Sequence, residues 1–179
     1  IFSKNISKNT YYINSNALKR LFVIEDVPAW SPNIRSKSSI RSTPKKEFID
    51  PSIAVAALGL SPQRLVDDLN TFGFIFETLC IRDLRVYTSA KWGEISYYRD
   101  RNGLESDCII HLENGDYALI EFKLGSDEIE KGIKNLLKLK NLLKEKNFKE
   151  PKFLAVITGG KYAYSTEDNV KIIPIGCLC

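Results

Sequence analysis

The chain has no methionine, one histidine and four cysteines in 179 residues. No apolar run approaches the ~20 residues that a membrane span needs, which excludes a spanning helix. The polar start, IFSKNISKNT, lacks the apolar stretch of a secretory signal. With His111 as the sole histidine, a zinc site is not expected. Cys80 and Cys108 sit in apolar runs, where a buried free thiol is the usual reading, and Cys177 and Cys179 form a terminal C-x-C. A disulfide framework is therefore not expected, and the chain reads as a protein of a reducing cytoplasm. Beginning at Ile1 and without methionine, it is expected to be a fragment of something longer.

What is present is ordinary globular composition, 44% hydrophobic and 27% charged, in a length that suits one domain with or without an appendage. The net charge of +4 is uneven. Residues 1–50 carry nine Lys and Arg against four acids, a balance of +5, and residues 51–179 balance at −1. Such asymmetry hints at a polyanionic partner for the N-terminal end.

Along the chain, residues 16–24 (NALKRLFVI) read as a short amphipathic helix with Leu18, Leu21 and Phe22 on one face. The stretch SPNIRSKSSIRSTPKK follows, with Arg35, Lys37, Arg41, Lys45 and Lys46 and no acid among them. It reads either as a solvated loop or as a basic wing that touches phosphates. Asp50-Pro51 is a helix start, Asp as N-cap and Pro at the first helical position, and this helix runs to Gly59. Ser61-Pro62 repeats the signal, and a longer helix covers about Phe72 to Tyr87. The period then changes to that of strands in EISYYRD, SDCIIHL and YALIEFKL, punctuated by Asn102-Gly103 and Asn114-Gly115. A Lys-rich amphipathic helix, about Asp127 to Asn147, carries the stripe Ile129, Ile133, Leu136, Leu137 and Leu143. FLAVIT and VKIIPI close the chain as strands.

Chemistry gathers where acids interrupt apolar runs. Alternation puts Leu119, Glu121 and Lys123 on one face of their strand and Ala118, Ile120, Phe122 and Leu124 on the other. Asp107 opens the run CIIHL, and Glu77 interrupts an apolar helix. Buried carboxylates are costly unless paired or bound to a metal. Whether Asp107 meets Glu121 depends on the turn. A two-residue Asn114-Gly115 loop sets Asp107 against Phe122; a three-residue loop, Glu113 to Gly115, sets it opposite Glu121 and sets Glu105 opposite Lys123. Facing acids repel unless a divalent cation lies between them, so the three-residue loop is the expectation for a metal site. If Arg101-Asn102-Gly103 forms the same loop, Arg99 pairs with Glu105.

Glu77 on a helix, Asp107 on a strand, then Glu121-x-Lys123 on the next strand followed by a helix, resembles the order of the PD-(D/E)xK nuclease superfamily. PKKEFID (44–50), GFIFE (73–77), YYRDRNGLESD (97–107) and LIEFKLG (119–125) resemble more closely the domain of unknown function at the C-terminal end of many prokaryotic AAA-type ATPases. LKRLFVIEDVPAWSPNIRSK is similar to the end of the winged-helix segment that precedes it there. The resemblance implies an α/β fold with a restriction-endonuclease-like core (helix, three-stranded β-meander, helix, strands). It divides the chain into a winged-helix remnant, 1–46, and a nuclease-like domain, 47–179.

The same resemblance implies a Mg²⁺- or Mn²⁺-dependent endonuclease acting on DNA. Asp107 and Glu121 would hold the metal, with Glu77 as a third acidic ligand, and Lys123 would stabilise developing charge. Arg99 and Glu105 would stand behind them, and Arg35, Lys37, Arg41, Lys45 and Lys46 would contact DNA. The implied partner is an N-terminal ATPase module; with no phosphate loop of its own, the fragment is not expected to bind ATP. The alternatives are a non-catalytic DNA- or protein-binding module and a self-association domain with a structural acid cluster. The lysines of the late helix (Lys131, Lys134, Lys138, Lys140, Lys144, Lys146) read chiefly as a solvated face, with DNA contact as the other reading. Tyr97, Tyr98 and Trp92 suit base stacking or core packing, and Trp30 suits anchoring its loop.

Overall fold

A computed structural model describes residues 6–32 and 43–178. The first helix, α1 (Lys8–Arg20), lies earlier than the sequence pattern suggests. Ser7 supplies its N-cap, accepting from the Thr10 N–H at 3.1 Å. The chain leaves the helix through Phe22 in the left-handed region (φ 55°), so the last residue of the expected helix, Ile24, becomes the start of strand β1 (Ile24–Val27). Leu18, Leu21 and Phe22 are exposed, and the buried residue of α1 is Ser15.

Strand β2 (Lys45–Phe48) pairs antiparallel with β1, Ile24 opposite Phe48 and Val27 opposite Lys45. The expected division after residue 46 thus falls inside a paired strand. Lys45 and Lys46 belong to that strand, not to a loop, whereas Arg35, Lys37 and Arg41 lie outside the described residues.

The Asp50-Pro51 signal opens α2 (Pro51–Leu58), where the Asp50 side chain accepts from the Ser52 N–H at 2.8 Å. Gly59 ends it at φ 61°, a conformation that glycine adopts without steric cost. Ser61 caps α3 (Pro62–Asp67), and Asp68 caps α4 (Leu69–Ser89).

The rest is one mixed six-stranded sheet. Strands β3 (Gly93–Arg99), β4 (Glu105–Leu112) and β5 (Tyr117–Lys123) form an antiparallel meander. Helix α5 (Ile129–Glu145) then crosses over to β6 (Phe153–Thr158), which lies parallel to β5. A short β7 (Tyr164–Ser165), which the sequence pattern did not reveal, precedes β8 (Val170–Pro174). The order across the sheet is β3-β4-β5-β6-β8-β7. Among the described residues the protein is therefore mixed α/β, with this sheet, a two-stranded ribbon and five α-helices.

Alternation divides the core into two. Leu119, Ile109 and Val156 pack with Ile133, Leu136 and Leu139 of α5 on one face of the sheet. Ile120, Phe122 and Cys108 pack with Phe76, Cys80 and Ile81 of α4 on the other. Cys80, Cys108 and Cys177 are free thiols, the first two buried. Among the described residues no helix is long and apolar enough to cross a membrane.

Candidate metal and phosphate site

Both hairpins use the three-residue loop. Leu112 donates to the Asp116 carbonyl at 2.9 Å and Asp100 to the Leu104 carbonyl at 2.9 Å, with Gly115 and Gly103 left-handed at φ 79° and 80°. Cys108 consequently faces Ile120, and Arg99 faces Glu105. Extending the first register by one step sets Asp107 against Glu121.

The ladder stops short of that step. The Asp107 carboxylate accepts the Phe122 N–H at 2.9 Å, a donor that the ladder leaves free. The pairing of Glu105 with Lys123 expected from the sequence therefore does not form. Glu105 turns to Arg99 instead, at 3.1 Å, and its carbonyl accepts from Asn135 Nδ2 at 2.6 Å.

Asp107, Glu121 and Lys123 converge at this end of the sheet. Lys123 Nζ lies 2.9 Å from Glu121 Oε2 and 3.5 Å from Asp107 Oδ2. Asn135 of α5 donates to the other Glu121 oxygen at 2.7 Å. Glu121 is 3% exposed. Burial, and next the charge of Asp107, push its carboxyl up to about 7, with Lys123 and Asn135 pulling the other way. Burial works against the Lys123 ammonium, but Asp107 and Glu121 outweigh it and raise its pKa. Gly132 of α5 lies beneath the Lys123 stem; a Cβ on that glycine would stand 3.4 Å from Lys123 Cε, an ordinary contact.

Glu77 comes from α4, which packs on the opposite face of the sheet. Lys45 of β2 ion-pairs with it and also lies 3.2 Å from Glu47, whose other oxygen accepts from Thr78 Oγ1 at 2.9 Å. Burial and then Asp107 and Glu47 raise the Glu77 pKa against the pull of Lys45. Asp107 is thus the acid whose charge reaches both Glu77 and Glu121. Among the described residues no three His, Cys, Asp or Glu side chains converge to hold a metal ion. The donors do suit a hard divalent cation at Asp107 and Glu121: two carboxylates that share a single ammonium, Lys123. Glu77 is not assembled with them.

The site opens into a cleft of about 520 Å³ lined by Gly103, Glu105, Asp107, Glu121, Lys123, Asn135 and three lysines of α5, Lys131, Lys134 and Lys138. Sequence reading did not single out Asn135 or the Lys45–Glu47 pair. Asn135 stands beside the apolar stripe of α5, where a polar residue facing the sheet is the available signal. Lys46 pairs with Asp26 at 2.6 Å. His111 lies apart, 2.9 Å from Ser96 Oγ, on a second cleft that also contains the exposed Trp92. Tyr98 and Trp30 pack together, and Trp30 sits 4.9 Å from the Tyr117 ring.

Residues 2–64 match the family model of a domain of unknown function, DUF8612. No curated protein and no solved structure matches the chain. Residues 72–178, more than half of the chain and all of the sheet that carries Asp107, Glu121 and Lys123, match the model of a second domain of unknown function, DUF4143, and the chain belongs to that family.

Proposed function

We propose that the chain is a metal-dependent DNA nuclease domain with a restriction-endonuclease-like core of the PD-(D/E)xK kind, coupled to an AAA-type ATPase module through a winged-helix remnant. The observation that carries the reading is the Asp107–Lys123–Glu121 group, held by two strands and one helix at the mouth of an open cleft. A bound Mg²⁺ or Mn²⁺ would neutralise the scissile phosphate and acidify a water. Asp107 and Glu121 would hold it through their carboxylate oxygens. Lys123, in contact with both carboxylates, would donate to negative charge developing on the phosphate. Asn135 fixes the Glu121 rotamer, and the Phe122 N–H fixes that of Asp107. Glu77 enters this reading outside the metal pair, as the α4 acid that engages Lys45.

One observation favours a second reading, a non-catalytic DNA-binding module. Both Glu121 oxygens already have protein donors, and no three-acid group forms among the described residues. Cleavage separates the two. Linear, single-stranded and four-way-junction DNA are incubated with Mg²⁺ or Mn²⁺, with Lys123→Ala and Glu121→Ala as controls for contaminating nuclease. Cutting that both substitutions abolish supports the nuclease. DNA retained without cutting by the intact chain supports the binding module.

A further inference from the structure

We propose that Lys131, Lys134 and Lys138 of α5 form a phosphate track that lays one strand of a nucleic acid across the cleft onto Asp107 and Glu121. The inference rests on the nucleic-acid reading above and adds the surface that binds it. Five lysines punctuate the helix and Lys146 caps its end, but they do not share one environment. Lys140 and Lys144 turn to Glu150, at 3.7 and 3.8 Å. Lys131, Lys134 and Lys138 are exposed and line the cleft, and none of them makes an ion pair among the described residues. Glu130 stands one turn before Lys134, a spacing at which surface ion pairs readily form, yet the two do not pair.

The helix face is fixed by Asn135. It is adjacent to Lys131 and Lys138 in helical projection, and its amide holds both Glu121 and the Glu105 carbonyl, so this face looks onto the carboxylates. A solvated face has no need of an adjoining cavity, and these lysines do not neutralise the site acids, which Lys123 already serves. Seven residues of helix span about 10 Å at ~1.5 Å per residue. Along a duplex axis that length covers three intervals of ~3.4 Å between the phosphates of one strand. The three cations are thus spread over a run of about four phosphodiesters of one strand, and the strand so held passes the Asp107–Glu121 pair.

The test is equilibrium binding of fluorescein-labelled single-stranded and duplex DNA to the full chain in EDTA, by anisotropy across a salt series. A Lys131→Gln/Lys134→Gln/Lys138→Gln variant is compared with Lys140→Gln/Lys144→Gln/Lys146→Gln, which removes the same charge from elsewhere on the helix. Circular dichroism melts verify that both remain folded. The expected result is at least about a tenfold affinity loss in the first variant, with the slope of log K against log salt reduced by about 2 to 3. The second variant should stay near the parent. Equal losses in both would reduce the lysines to general charge and overturn the track, as would binding unchanged in the first. Because EDTA removes metal, the outcome is independent of catalysis. A track without cleavage by the parent would sink the nuclease reading alone. Cleavage with full binding by the first variant would sink the track alone.

Discussion

Lys123 Nζ lies 2.9 Å from Glu121 Oε2, joining two side chains that one strand places on the same face two residues apart. Glu121 is buried and Lys123 partly so, with 4% and 16% of their side chains exposed. Both belong to the proposed chemistry, and burial of the ionised glutamate is a cost to the fold. The ammonium keeps Glu121 tolerable beneath α5, and Lys123 also lines the cleft. Removing either partner therefore has separable effects on stability and on activity.

Lys123→Ala leaves Glu121 and Asp107 facing each other with Asn135 as the remaining side-chain donor to Glu121. At pH 8 the variant is expected to lose about 3 kcal/mol, the ordinary cost of breaking a buried pair from one side. At pH 5 the loss should shrink, because Glu121 takes up a proton. A double variant, Lys123→Ala with Glu121→Gln, should recover most of the loss. Urea denaturation of the four proteins at both pH values measures the coupling, and strictly additive effects would show that the pair is not coupled.

Glu121→Gln tests the sign of the Glu121 contribution in metal-free buffer. Its carboxyl rises from an ordinary 4.5 to about 7 on folding. Between those values the folded chain binds more protons than the unfolded one, so stability falls as pH climbs through the window. At about 1.4 kcal/mol per pH unit, the full cost above pH 7 is about 3 kcal/mol. Glutamine does not titrate, so the variant should gain up to that amount over the parent at pH 8 and nearly nothing at pH 4. A parent whose stability is flat from pH 4.5 to 7, relative to the variant, would contradict this account.

Much of this was legible in the chain because each signal was local. Asp50-Pro51, Ser61-Pro62 and Gly59 mark helix ends by their own backbone chemistry, and the helices begin and end there. The two Asn-Gly loops fix register through one left-handed glycine each, which is why the Arg99–Glu105 pair and the approach of Asp107 to Glu121 follow from loop length. Where local pattern misled, tertiary pairing had won. The helical pattern of residues 16–24 runs up to Ile24, but Ile24 opens a strand that finds β2 as its partner. That ribbon also brings Lys45 to Glu77, a contact that no spacing rule contains. Asn135 was equally silent, since its role depends on how closely α5 approaches β5 over Gly132.

Gly115 is expected to be the residue on which the site register depends. At φ 79°, with nothing within 4 Å of where a Cβ would stand, substitution there meets backbone strain and no clash. Gly115→Ala should cost about 1–2 kcal/mol and Gly115→Asn distinctly less, because asparagine tolerates the left-handed region. Thermal melts check the ranking. Alanine and asparagine behaving alike would show that the loop relaxes into another turn.

Metal addition gives the last prediction, and it needs no substrate. If Asp107 and Glu121 hold a divalent cation, saturating Mg²⁺ or Mn²⁺ stabilises the folded chain by mass action, by about 2.7 kcal/mol at a hundredfold excess over Kd. The stabilisation should be greater at pH 8 than at pH 5, since the cation competes with the Glu121 proton. Asp107→Asn should lose most of it, because that substitution removes one of the two anionic ligands. Glu77→Gln should keep most of it, because Glu77 packs from the far face of the sheet and is engaged by Lys45. Differential scanning fluorimetry across a metal series distinguishes these cases. A Glu77→Gln protein as unresponsive as Asp107→Asn would mean that metal draws Glu77 away from Lys45 into a three-carboxylate site.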